Sequence, residues 1–148
     1  AWQALLKQGV TRRSLTEFHA RYKYLLMAHH PVQYKTLGNL LGSLGKQDPM
    51  GIAPQYFSEL MKALKKCATR RTHTNVLQHI SGYLKQSISA QDKQEMQQLI
   101  GQYLHGIVPL VVPLTLLKHH FRLHPHAYIS RQVYLQPHPE DLSLRNAI

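Results

Sequence analysis

At 148 residues, with 43% hydrophobic side chains, the chain has the length of one ordinary domain and enough apolar material for a packed core, which excludes a disordered polymer. Its 18 lysines and arginines against 7 carboxylates give a formal charge of +11, which predicts attraction to polyanions: nucleic acid, an anionic membrane surface or an acidic protein. A single cysteine, Cys67, excludes an internal disulfide, a paired-cysteine metal knuckle and an iron–sulfur ligand set, and fits a reducing cytoplasm.

The chain opens on Ala1 with Trp2, Leu5 and Leu6 already on one helical face, so it reads as part of something longer. Leu15, Phe18, Tyr22, Leu25, Leu26 and His29 then recur with a 3.6-residue rhythm, which predicts an amphipathic helix. Pro31 opens a second helix with Tyr34, Leu37, Leu40 and Leu41 inside, and residues 45–53 read as a surface loop. Pro54 suits the first turn of a third helix, whose inner face is Phe57, Leu60, Met61 and Leu64. Arg70 and Arg71 mark a loop before a helix that buries Val76, Leu77, Ile80 and Leu84. Ser89 with Asp92 resembles a capping box ahead of Met96, Leu99, Ile100, Tyr103 and Leu104. The run at residues 107–117 is too short to span a bilayer and is broken by Pro109 and Pro113. It leads into a buried helix ending near His124 and Pro125, and residues 134–146 read as an extended arm. No secretory signal, internal repeat or low-complexity linker is evident, so a cytoplasmic protein is expected. The expectation is one all-α domain over residues 1–148, a compact bundle of about six helices with an extended C-terminal arm.

Charge is concentrated where acid is missing. Between Glu59 and Asp92 there is no carboxylate, while Lys62, Lys65, Lys66, Arg70, Arg71 and Lys85 all fall there. Lys62, Lys65 and Lys66 share one helix face. Each phosphate they neutralise would release counterions and add affinity without sequence information. Tyr22 and Tyr24 flank Lys23, Tyr83 precedes Lys85, and Tyr128 and Tyr134 bracket Arg131; tyrosines between cations can stack on unpaired bases. The competing reading is that such lysines are a solvated exterior and such tyrosines belong to the core.

Of the 11 histidines, four lie in residues 118–126. His120 and His124 are four apart on the helix expected to end near His124, a spacing that can present two imidazoles to zinc. A third ligand and a carboxylate base are missing from that region, so no metal is expected, and Lys118, His119, His120 and Arg122 serve equally as a phosphate-facing patch. A histidine pair acting on RNA, His19 with His29 or His73 with His79, is the enzymatic alternative, which the spacing alone does not select.

Four stretches resemble the YbgA-like domain family: FHARYKYLLMAH (18–29), NVLQHISGYLK (75–85), VPLTLLKHHFRLH (112–124) and YLQPHPEDLSLRN (134–146). Together they span the chain from about residue 12 to its end. In that family the domain occurs alone or C-terminal to an iron–sulfur domain similar to thiouracil desulfidases. The resemblance implies an accessory role, holding thiolated RNA, above all tRNA, for a desulfidase partner. That partner's chemistry needs cluster-ligating cysteines, so with Cys67 alone the chain is expected to carry no catalysis and no cofactor of its own. The positions that match the motifs are His19, Arg21 and Lys23; Asn75, His79, Tyr83 and Lys85; Lys118, His119, His120 and Arg122; and Tyr134, His138 and Arg145. Lys62, Lys65, Lys66, Arg70 and Arg71 join them on charge alone. The leading expectation is RNA capture by charge and stacking; the alternatives are a module that docks an acidic partner domain and a histidine-based hydrolase or metal site.

Overall fold

The structure, a computed structural model, describes residues 2–43 and 48–136. Among them are nine α-helices and no strand, so the fold is all-α. What the sequence reads as one domain contains two compact units, Ala1–Cys67 and Ala68–Ile148.

The first unit holds α1 (Trp2–Gln8), α2 (Arg12–Arg21), α3 (Lys23–His29), α4 (Pro31–Gly42) and α5 (Pro49–Lys65). Thr11 starts α2 with a reciprocal cap: its hydroxyl accepts from the Ser14 amide at 3.0 Å, and the Ser14 hydroxyl accepts from the Thr11 amide at 2.8 Å. Two donors that the helix leaves orphaned are thereby satisfied. Leu15, Phe18, Leu26, Leu37, Tyr56 and Leu60 form the core. Trp2 closes it from α1, edge-on to Phe18 at 5.3 Å and stacked on Phe57 at 4.9 Å.

Three features differ from the sequence expectation. The helix over 15–29 is two helices, bent at Tyr22, so that Tyr24 and Ala28 become buried and Tyr22 only half-buried. The third helix begins at Pro49 rather than Pro54, because Asp48 caps it and Ile52 and Ala53 have core to fill. Pro54 therefore sits inside the helix, on its exposed side, where a missing backbone donor costs least. The buried stripe of α5 runs through Ala53, Tyr56, Leu60 and Ala63; of the expected set Leu60 is buried, Phe57 and Leu64 are half-buried against the core, and Met61 is left in solvent.

The second unit holds α6 (Arg70–Ser81), a 3₁₀ turn at Gly82–Leu84, α7 (Ala90–Leu104), α8 (Val111–Leu123), α9 (Ala127–Ser130) and a 3₁₀ turn at Val133–Leu135. Val76, Leu77, Ile80 and Leu84 are buried as their spacing predicts, as are Met96 and Ile100 of α7 and Leu117 of α8, the helices on which α6 packs. Ser89 caps α7, accepting from the Asp92 amide at 3.0 Å. Gly106, at φ +77°, ends it. The Gly106 and Ile107 amides donate back to the carbonyls of Tyr103 and Gln102, a closure that needs the left-handed conformation glycine adopts freely. Pro113 lies in the first turn of α8, where no intrahelical partner awaits its nitrogen.

Arg70 and Arg71 are not a loop but the first residues of α6. Thr69 and Thr72 cap it as Thr11 and Ser14 cap α2, with bonds of 3.1 and 2.9 Å. The two openings share a pattern, T-R-R-[S/T]-x-T, at 11–16 and 69–74. Among the described residues no helix is long and apolar enough to cross a membrane. Replacing Thr69 by alanine should cost about 1 kcal/mol in urea unfolding followed by helical circular dichroism, while Thr69→Ser should retain most of it; an unchanged midpoint in Thr69→Ala would show that the cap contributes nothing.

Candidate nucleic-acid interface

The outward side of α6 is the mirror of its buried side. With His73, Val76, Leu77 and Ile80 turned inward, Arg71, Asn75 and His79 fall four residues apart on the exposed face. The next step along that spacing is Tyr83, whose side chain is 38% exposed. Two rings support it: His126 meets it edge-on at 4.8 Å between centroids, and Tyr128 lies at 6.0 Å, tilted by 32°. His126 is itself held in place, because its Nδ1 accepts from the Ile129 amide at 3.4 Å and so caps α9. Lys85 is exposed two residues past Tyr83, and Arg131 is exposed just after α9. Arg71, Asn75 and His79 thus share the exposed face of α6, and Tyr83 is exposed in the 3₁₀ turn that follows, beside an aromatic cluster. His126 and Tyr128 have no local sequence signal that ties them to Tyr83.

Other candidate residues are spent inside the fold. Arg70 leans over the Tyr103 ring at 4.9 Å and donates to the Tyr103 carbonyl at 2.7 Å and the Val108 carbonyl at 3.4 Å, tying the end of α7. Burial pushes the Tyr103 phenol up to about 12, against the opposing pull of Arg70. Tyr134 is fully buried with its hydroxyl 2.7 Å from His73 Nδ1. His120 is buried on the inner side of α8, while His119 and Arg122 face solvent and Lys118 is half-buried. His138 and Arg145 lie outside the described residues.

In the first unit, His19 is buried, stacked parallel to Tyr34 at 4.9 Å, with Nδ1 3.0 Å from the Tyr56 hydroxyl. Burial lowers its pKa to about 4, so at neutral pH it is uncharged and offers no cation to a phosphate. The Tyr56 phenol is pushed well up by burial and by the phenols of Tyr22 and Tyr34. Lys23 is half-buried with its ammonium 5.3 Å from the Tyr24 ring centre, and Arg21 is exposed. Lys62, Lys65 and Lys66 are exposed at the end of α5, as their spacing predicts. Among the described residues the ion pairs are Lys62–Glu59 at 3.5 Å and Arg13–Glu17 at 2.9 Å, both largely in solvent and of small energetic worth. No three His, Cys, Asp or Glu side chains among the described residues are placed to hold a metal ion.

Residues 23–139 match a family described as "Protein of unknown function (DUF1722)". The Uncharacterized protein YbgA of Escherichia coli (strain K12) is 34% identical over 144 residues, spanning 97% of this chain and 85% of that protein. The chain belongs to this YbgA-like family. No solved structure matches it. The region matched to the YbgA-like family contains all of α6 and α8, and it omits α1 and α2.

Because His19 is held near 4 when folded and returns to about 6.5 when unfolded, the unfolded chain takes up that proton first. Its contribution to stability is complete above about 6.5 and is lost as the pH falls toward 4. Proton NMR should therefore find the His19 ring titrating near 4, and His19→Phe should flatten the loss of stability across that window. A His19 midpoint near 6.5 in the folded protein would overturn the reading.

Proposed function

We propose that this domain binds RNA in an accessory role in the cytoplasm, through the outer face of α6, with charge capturing the backbone and Tyr83 stacking on an unpaired base. The observation that carries this reading is the exposed set Arg71, Asn75 and His79 on α6, followed in the next turn by the exposed Tyr83 backed by His126 and Tyr128. Each part has a use. Arg71 and Lys85 offer permanent positive charge to phosphates, Asn75 and His79 offer hydrogen bonds, and a partly exposed ring braced by two others is a platform on which bases of any identity can lie. Between residues 68 and 136 the carboxylates are Asp92 and Glu95, both on α7, so the stripe carries no acid of its own. Phosphates and base faces are features of every RNA; a thiolated tRNA as ligand, and a desulfidase-like iron–sulfur protein as the one that receives it, are what the family resemblance adds. No catalytic step is assigned to the domain.

The test is an anisotropy titration of the purified domain with bulk tRNA and a single-stranded oligoribonucleotide, at two salt concentrations and with duplex DNA as competitor. Micromolar or tighter binding that favours RNA and weakens with salt is expected. Arg71→Ala should weaken binding to all RNAs and make the salt slope shallower by about one unit. Tyr83→Ala should cost about 1–3 kcal/mol on single strands and leave the slope unchanged. Absence of binding at low salt, despite a charge of +11, would sink the proposal.

A further inference from the structure

The sequence IVPLVVPLTLL gives α8 apolar residues on two sides, and the core uses only one. Pro113, Leu114, Leu117 and His120 point inward and are buried. On the other side Val111, Val112, Thr115, Leu116, His119 and Arg122 line an open groove of about 480 Å³. The groove follows the helix for three turns, about 16 Å at 1.5 Å per residue. It is graded along its length, with valines and a leucine in the first turns and an imidazole and a guanidinium in the last. Large apolar side chains also reach solvent at Ile107, ahead of α8, and at Leu123, its last residue, 69% and 62% exposed.

We propose that this face docks an amphipathic acidic segment of a partner protein, its apolar side on Val112 and Leu116 and its carboxylates on His119 and Arg122. The proposal concerns a different surface from the α6 stripe and does not rest on the RNA reading. Phosphate–sugar backbone has little to gain from a valine and leucine wall, which offers it no donors, whereas a helix seated in a groove reads apolar anchors at this spacing. A second copy of the chain fits poorly, since each would bring its own +11 charge and its own Arg122 against like charge. Nothing acidic lies on α8, nor anywhere from residue 96 to residue 139, so the cationic end of the groove is complementary to carboxylates. Binding of this kind concentrates in a few buried apolar anchors, with the charge pair fixing orientation and partner choice.

The experiment is a titration of the full ¹⁵N-labelled chain with a synthetic helical peptide of about four turns, leucines along one side and glutamates at one end, beside a twin with lysines in place of glutamates. Amide shifts confined to Val111–Arg122, saturating with the glutamate peptide and absent with the lysine peptide, are expected. Leu116→Asp should weaken binding about tenfold or more with an unchanged circular dichroism spectrum, since Leu116 is only half-buried. Arg122→Glu should weaken the glutamate peptide severalfold and admit the lysine peptide. In Leu116→Asp, tRNA affinity should stay within about twofold, which separates this surface from the α6 stripe. No shift at millimolar peptide, or equal shifts with both peptides, would overturn the proposal. So would a dimer, seen by sedimentation, that Leu116→Asp dissolves, or peptide binding that appears only after residues 137–148, with Glu140, Asp141, Leu142 and Leu144, are deleted.

Discussion

Seven carboxylates cannot neutralise eighteen lysines and arginines, and the protein disposes of the surplus cations in distinct ways. Arg13 and Lys62 find carboxylates on their own helices, in solvent, where such pairs add little. Arg70 and Lys23 are taken up by neutral partners: backbone carbonyls and a phenol ring for the first, a phenol ring for the second. Arg71, Lys65, Lys66 and Lys85 stand exposed. Stability must then come from apolar burial and helix caps, and the interior must manage without counter-charge. It does so by setting histidine against a tyrosine hydroxyl, His19 with Tyr56 and His73 with Tyr134, pairs that satisfy buried polar atoms without a carboxylate.

Much of this is legible in the sequence where a single helix decides the outcome. The inward set Val76, Leu77, Ile80 and Leu84 follows from spacing, as do the exposed lysines of α5 and the Ser89 cap. The rest is set by partners that lie far along the chain. Arg70 reads as a free cation because its acceptors are carbonyls at 103 and 108, which carry no residue-type signal. The bend at Tyr22 exchanges which of two neighbouring tyrosines is buried, and that bend follows from the packing of α3 on α2, α4 and α5. Family motifs mislead in a related way: His120 and Tyr134 are polar residues at motif positions, yet both are interior, so motif membership reflects the fold as much as the surface.

The second unit thus presents two outer helix faces of opposite character. On α6 the apolar residues are all used inside and the outside is polar, cationic and aromatic. On α8 apolar residues remain after the core is full, and the cations gather at one end. A single basic patch would predict one undifferentiated polyanion site; two faces with different chemistry allow two different occupants at once.

The shared opening of α2 and α6 carries one more consequence. Behind each Thr-Arg-Arg cap, the inward positions one turn apart are Leu15 and His19 in the first unit and His73 and Leu77 in the second. Each helix therefore buries one leucine and one imidazole, but in exchanged places, and each imidazole reaches a tyrosine contributed later in its own unit. Letter by letter the two segments diverge just where they turn inward, so the likeness fades from any residue-for-residue alignment. At these two rungs the volume and hydrogen-bonding capacity are the same and the polar tether is hung on the other one, while the inward position between them holds Phe18 in α2 and Val76 in α6.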